Sequence, residues 1–344
     1  MRAMVLHQFS SPLRLEERPV PQAGPGEVVI KVRACAPDML DVKTRAGQSN
    51  ITLPRVLGHE ISGEVAQIGA SVWNVREGDR VVVYDYLNCS ACEFCWNGRE
   101  TLCRNNKGIL GLAIDGGFAE YIKVPGRNAL PIPEDVSYEA ATTLVSPVST
   151  SLHALRERAK VTPGDFLLVV GAAGGVGIHM VQMAQLFGGR VIAADVSDEK
   201  NEKTKTYGAE AAVNTTEKPF DLSFDEAIME FTDGKGVKAA IDLYGSSASL
   251  AACYRCLDTG GTLVRIGSKV GDRLEIDPLA LTTKEVVITG CRYNTKEEFY
   301  KSLELLRAGK IKPVVSFSFP LAEVDGILDM IEQNKIFGRG VAIL

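Results

Sequence analysis

The sequence predicts an α/β protein in which a β-rich domain is joined to a doubly wound parallel sheet. Three observations carry that expectation. The early segments EVVIKVRACA (27–36), ISGEVAQIG (61–69) and DRVVVYDY (79–86) alternate or run apolar, with Gly or Pro punctuation between them. From about Val161, short apolar strands alternate with helical stretches, the order that covers a parallel sheet on both faces. At the change of pattern, FLLVV (166–170) runs into GAAGGVG (171–177) and then an apolar-periodic helix.

Taken in order, GGFAEYIKV (116–124) continues the β-rich style of the first part. After FLLVV and its glycine turn, IHMVQMAQLFGG (178–189) reads as a helix ending in glycines. RVIAADV (190–196) is the next strand, and SDEKNEKTKTYG (197–208) the next helix, with Ser197 as its N-cap. AAIDLYG (239–245), TLVRIG (262–267) and VVITGC (286–291) are further strands, with the helix SASLAACYRCLD (247–258) among them. TKEEFYKSLELLRAGK (295–310) and LAEVDGILDMIEQNK (321–335) are amphipathic helices, and VAIL (341–344) is a last strand. The 344 residues suffice for about two domains. Hydrophobic residues at 45%, charged residues at 24% and a net charge of −5 describe an ordinary soluble protein, without the basic surface that nucleic acid or a membrane surface would require. The first residues carry no signal-peptide pattern and no apolar run is long enough to span a membrane.

Four of the eight cysteines, Cys89, Cys92, Cys95 and Cys103, stand in CSACEFCWNGRETLC with the spacing C-x2-C-x2-C-x7-C. Four thiolates so close in sequence converge on a tetrahedral ion, and soft sulfur favours zinc. Four sulfur ligands leave no open position, so this zinc is structural. Metal spacing in a chain of this length points to a reducing cytoplasm. Cys253 and Cys256 fall on a helical pattern, and Cys35 and Cys291 beside strand-like residues, so all four read as buried packing thiols.

Gly171, Gly174, Gly175 and Gly177, with Val176 between the last two, form the turn from strand to helix. Such a turn lets backbone approach a pyrophosphate, which then meets the N–H groups and dipole of the helix start. Asp195 ends the following strand, 18 residues after Gly177, where a carboxylate accepts the ribose hydroxyls and repels a 2′-phosphate. NAD(H) is therefore expected in preference to NADP(H).

The β-rich first part, GHE at 58–60, the cysteine lobe, GGFAEY at 116–121 and GAAGGVG together resemble the medium-chain dehydrogenase/reductase family, in its zinc-containing alcohol and polyol dehydrogenase branch. The resemblance covers the full chain. It implies a GroES-like catalytic domain from residues 1–149 and 291–344, carrying the zinc lobe at about 88–104, and a Rossmann NAD-binding domain from 150–290. It also implies a small alcohol or carbonyl substrate and a homodimer or homotetramer. Lys200 matches a family lysine at the adenosine ribose, and Arg339 the C-terminal arginine that reaches the pyrophosphate.

The resemblance further implies a second, open zinc site, and here the chain departs from the pattern. Asp38 stands at the first ligand position in place of Cys, His59 and Glu60 follow in GHE, and Ser146 falls at the third position. Asp41 matches a carboxylate that orients the histidine. Leu40 replaces a relay hydroxyl, and Lys43 stands where some members place a relay histidine. Asp38 also aligns with an asparagine of the quinone-reductase members, which have no catalytic zinc. Two enzyme readings follow: Asp38, His59 and Glu60 hold a catalytic zinc for alcohol–carbonyl interconversion, or the lobe alone binds zinc and the enzyme reduces an activated alkene. A third, a binding protein with an eroded site, is opposed by the complete nucleotide fingerprint. His7, His153 and His179 read as surface or packing residues. Tyr84, Asp85, Tyr86 and Ile114 are expected to line the substrate pocket.

Overall fold

The computed structural model describes residues 1–267 and 270–344, and it divides into two compact units. One comprises Met1–Ser146, Thr295–Leu303 and Pro313–Leu344; the other comprises Pro147–Asn294 and Glu304–Lys312. The boundary read at residue 291 assigns Glu304–Lys312 to the first unit. It packs in the second, because Leu305 and Ile311 join the apolar core around Leu167, Val169 and Met180. No helix among the described residues is long and apolar enough to cross a membrane.

Among the described residues, the first unit is built on a seven-stranded sheet. Its strands run in the order Val315–Pro320, Arg339–Ile343, Glu27–Ala36, Glu60–Ile68, Arg80–Val83 and Ala129–Pro131, with Tyr121–Pro125 also paired to Glu27–Ala36. A smaller sheet joins Arg14–Glu17, Arg2–Leu6 and Arg55–Val56. The alternation seen in EVVIKVRACA places Val28, Ile30 and Val32 in the core with Ile61, Val65 and Phe118. DRVVVYDY is strand only as far as Val83. Beyond it the Asn128 side chain donates to the carbonyls of Tyr84 (2.6 Å) and Tyr86 (3.1 Å), replacing ladder bonds and leaving Asp85 in an irregular, buried segment.

The second unit carries a six-stranded parallel sheet among the described residues. Its order is Ala209–Asn214, Arg190–Asp195, Phe166–Val170, Val237–Asp242, Leu257–Arg265 and Val287–Gly290. Numbered along the chain, that order is 3-2-1-4-5-6, the doubly wound arrangement of dinucleotide-binding domains. The central strand Phe166–Val170 is apolar throughout and buried beyond its first residue, as a strand covered on both faces requires.

Candidate active site

The glycine turn opens the helix Gly175–Leu186, with Gly174 as an N-cap that has no side chain to offer. The N–H groups of Gly175, Val176 and Gly177 head this helix, where helix geometry supplies no carbonyl from a preceding turn. Gly177 is required by close packing: a Cβ there would lie 2.0 Å from the Gly171 carbonyl oxygen. Asp195 is buried at the end of its strand. One of its oxygens accepts from the Ala173 N–H (2.9 Å) and the other from the Val196 N–H (2.8 Å). It thus ties the glycine turn to the neighbouring strand, and each oxygen keeps a lone pair. Ser197 caps the next helix, accepting from the Lys200 N–H at 3.3 Å. Burial lowers the Lys200 ammonium pKa, and the Asp195 charge opposes that fall.

In the lobe, the short helix Glu93–Trp96 folds the four cysteines together. The Sγ atoms of Cys89, Cys92, Cys95 and Cys103 all lie within 4.8 Å of one another. The Cys89 N–H donates to Cys103 Sγ (3.3 Å), the Ala91 N–H to Cys89 Sγ (3.4 Å) and the Asn88 side chain to Cys95 Sγ (3.4 Å). Donors aimed at sulfur stabilise thiolates, and four gathered thiolates fit a zinc ion with no open position. Among the described residues none of the eight cysteines is in a disulfide. Cys35, Cys253, Cys256 and Cys291 are buried.

Asp38, His59 and Glu60 form the second cluster, with one ligand atom from each inside 4.8 Å. Asp38 is the N-cap of the helix Met39–Arg45, its Oδ1 accepting from the N–H groups of Leu40 (2.7 Å) and Asp41 (3.3 Å). That capping fixes the carboxylate and leaves Oδ2 3.6 Å from His59 Nε2. At its other end Arg45 pairs with Asp325 (3.1 Å) and Asp329 (2.6 Å) on the helix Val324–Glu332. Gly58 holds the backbone before His59 at φ +91°, where a Cβ would lie 2.7 Å from the Phe118 ring. The segment GGF, residues 116–118, bonds to this stretch through the carbonyls of Val56, Gly58 and Leu57. His59 and Glu60 are almost wholly enclosed.

One expectation changes here. Asp41 does not hydrogen-bond the His59 ring, whose Nδ1 is 4.0 Å away and has no hydrogen-bond partner. It accepts instead from the backbone N–H of Asp38 (3.0 Å) and of Gly58 (2.9 Å), so it positions the histidine through the chain. Arg339 donates to Glu60 Oε1 at 2.6 Å and stands 3.7 Å from Asp38 Oδ2, while its Nε has no hydrogen-bond partner. The buried carboxylate beside it draws the guanidinium there. Lys43 is half-buried on the helix that Asp38 caps, and Ser146 is buried in the wide turn Leu144–Val148.

Charge is out of balance in this centre. Three buried carboxylates, Asp41, Glu60 and Asp85, stand with the half-buried Asp38, and the main cations they feel are His59 and Arg339. Burial raises Glu60 to about 7, and Asp41 and Asp85 to about 6 each. Burial raises Asp38 too, but His59, Arg339 and two amide N–H groups hold it below the usual carboxylate range. Burial lowers His59, and the surrounding carboxylates outweigh it and raise the imidazolium to about 9. Glu60 Oε2 has no hydrogen-bond partner. A divalent cation is what such a donor set lacks, and two carboxylates and an imidazole suit zinc.

The pH dependence of the stripped centre follows. Groups whose pKa is raised on folding bind protons more tightly in the folded chain, so their contribution is full below the unfolded pKa and is lost as pH rises through the folded one. Glu60, Asp41, Asp85 and His59 all have that sign; Asp38 has the opposite sign at lower pH. With no metal at these groups, the melting temperature should fall as pH rises from about 5 to about 9. A zinc ion held by them would level or reverse that slope, because ligation needs deprotonated groups. Melting curves across that range check both slopes.

Residues 24–134 match the family described as the alcohol dehydrogenase GroES-like domain, and residues 175–308 the family described as zinc-binding dehydrogenase. An NAD-dependent alcohol dehydrogenase of Sulfolobus acidocaldarius is 32% identical, with 99% of each chain covered. One from Sulfurisphaera tokodaii is 32% identical over the whole of both chains. The crystal structure of the alcohol dehydrogenase from the archaeon Aeropyrum pernix superposes with a TM-score of 0.92 at 28% identity, covering 100% of both chains. Two matching domains and full-length relatives thus agree with the doubly wound sheet and the paired cysteine and histidine clusters. The chain belongs to the medium-chain dehydrogenase/reductase family, in its zinc-containing alcohol dehydrogenase branch.

Proposed function

We propose that this protein interconverts a small alcohol and its carbonyl by hydride transfer with NAD(H), holding one zinc in the cysteine lobe and a second at Asp38, His59 and Glu60. The observation that carries the second zinc is the surplus of buried carboxylate around His59, with Asp38, His59 and Glu60 inside 4.8 Å. When bound there, zinc would polarise a carbonyl and lower the pKa of an alcohol toward about 7. Each protein group has its own task. Capping holds Asp38 Oδ1 and leaves Oδ2 toward the metal. Arg339 fixes one oxygen of Glu60, and the other remains to take the metal or a proton. His59 serves as a neutral imidazole, and Lys43 is the basic group offered for proton transfer. In the second unit the N–H groups of Gly175, Val176 and Gly177 receive the pyrophosphate, and Asp195 with Lys200 the adenosine ribose.

Asp195→Ala should lower kcat/KM for NADH by about tenfold or more, the range of hydrogen bonds to a charged group, and narrow the advantage over NADPH. Steady-state kinetics with both coenzymes checks this; a wild type that favours NADPH contradicts the assignment. The exposed edge strand Val287–Gly290, with Val287 half exposed, supports a homodimer or homotetramer built by pairing with a second copy. One observation favours the alkene-reductase reading: Glu60 and Asp38 already find a cation in Arg339. That reading predicts activity indifferent to a chelator, so chelation in an alcohol assay and in an enone assay separates the two.

A further inference from the structure

The helix Met39–Arg45 has seven residues, too few to be held by its own backbone bonds. Its first turn bears on the centre twice. Asp38 caps it and keeps Oδ2 at 3.6 Å from His59 Nε2. Asp41 accepts from the Gly58 N–H at 2.9 Å and so fixes the chain just before His59. A tilt of the helix would move Asp38 directly and His59 through the backbone. Two features oppose such a tilt. Val42 lies in the apolar core that also holds Val324, Ile327 and Leu328 of the helix Val324–Glu332. Arg45, at the far end, has a side chain only 12% exposed, and it meets three carboxylates of that second helix: Asp325 at 3.1 Å, Asp329 at 2.6 Å and Glu332 at 3.5 Å. It also donates to the Asp325 carbonyl oxygen at 3.3 Å. Those acids follow one another at spacings of four and three residues, one face of a helix, where like charges repel unless a cation bridges them. The clamp is tied down on both sides. Asp325 Oδ1 accepts from the Leu13 N–H at 2.9 Å, and the Arg45 carbonyl accepts from the Ser10 N–H at 2.7 Å. A planar guanidinium shared among several carboxylates fixes direction as well as distance, which a single exposed ion pair does not.

We propose that Arg45 is a positioning residue for the open metal site: by locking the helix Met39–Arg45 onto the helix Val324–Glu332, it sets where Asp38 and His59 converge. This rests on the reading of a zinc at Asp38, His59 and Glu60 given above. All the groups involved belong to the first unit. Arg45 acts at the end of the helix opposite to Asp38, so its effect reaches the metal only through the placement of the ligands. Residues that orient metal ligands from behind typically change metal affinity by about ten- to a hundredfold when replaced.

The test titrates zinc, in competition with a chromophoric chelator, into full-length protein whose open site has been emptied by mild chelation with the lobe zinc retained. Wild type, Arg45→Met, Arg45→Lys and Asp329→Asn are compared, and melting temperature and NADH binding report folding. Arg45→Met should weaken zinc at the open site by about tenfold or more, while NADH binding, which belongs to the second unit, changes by less than about twofold. Arg45→Lys keeps the charge without the fork, so its loss should be smaller than that of Arg45→Met. Asp329→Asn should weaken zinc by a few-fold, and the double variant Arg45→Met with Asp329→Asn should lose no more than Arg45→Met alone, because the two act as one contact. A lower melting temperature with an unchanged zinc dissociation constant would make Arg45 a purely structural residue and overturn the inference; so would losses that add in full in the double variant. If Arg45→Met does not fold, Arg45→Lys and Asp329→Asn carry the test, and zinc affinity unchanged in both overturns it. A wild type that takes up no zinc beyond the lobe overturns the catalytic-zinc reading and this inference with it. A wild type that does take it up, with Arg45 variants that hold it equally well, overturns this inference alone.

Discussion

Replacing His59 with alanine is expected to lower kcat/KM for the alcohol by about a thousandfold, while NADH binding stays within about twofold. The size follows from the several kcal/mol that a Lewis acid contributes to a charged transition state, at 1.36 kcal/mol per tenfold. His59 is the one nitrogen ligand in the cluster, and the remaining carboxylates would share a buried site with Arg339 as their main cation. Metal at the open site should fall with the activity, which elemental analysis of the same preparation reads directly. The nucleotide turn and Asp195 belong to the second unit, so coenzyme titration should show little change. A variant that keeps alcohol oxidation contradicts a metal held by His59; activity only on an enone, unchanged by the substitution, would support alkene reduction without a catalytic metal.

Cys95→Ala should have the largest effect on the fold. The lobe has little apolar core of its own: Trp96 and Leu102 are exposed, and its two helical segments span four and three residues. Its order therefore depends on the ion that the four sulfurs gather, and losing a structural metal belongs among the few single changes that cost roughly 3–5 kcal/mol. For a domain of this size that is a fall of about 10 °C in melting temperature. Lobe zinc should be lost, and NADH binding should persist. An unchanged melting temperature with zinc retained contradicts the structural role.

Most strands of the second unit were legible because local pattern and tertiary role coincide there, whereas the edge strand Ala209–Asn214 and the helix Leu222–Phe231 were not read. FLLVV is uniformly apolar and is the central strand; Ser197 reads as an N-cap and caps. The cysteine lobe was legible because its spacing is itself the geometry. In the first unit the same reasoning reaches less far. DRVVVYDY has the composition of a strand, but Asn128, more than forty residues away, takes over the carbonyls and ends it. Arg339 and Glu60 are separated by 279 positions, and no local pattern announces that they pair. Asp41 was placed beside the histidine by resemblance, yet its oxygens go to backbone N–H groups, a choice that only the folded loop around Gly58 determines. Asp38 stands at the first ligand position by resemblance, and it is held by capping while its second oxygen lies 3.6 Å from His59 Nε2. Asp85 left a faint signal, a charge at the end of VVVY, whose meaning depends on burial.

Zinc counted per chain by elemental analysis, on protein purified without added metal and again after mild chelation, tests the central claim most directly. The account predicts about two zinc ions per chain, one of them removed by chelator together with alcohol oxidation and restored with it. One tightly held zinc, with alcohol oxidation indifferent to chelator, would contradict a catalytic metal at Asp38, His59 and Glu60.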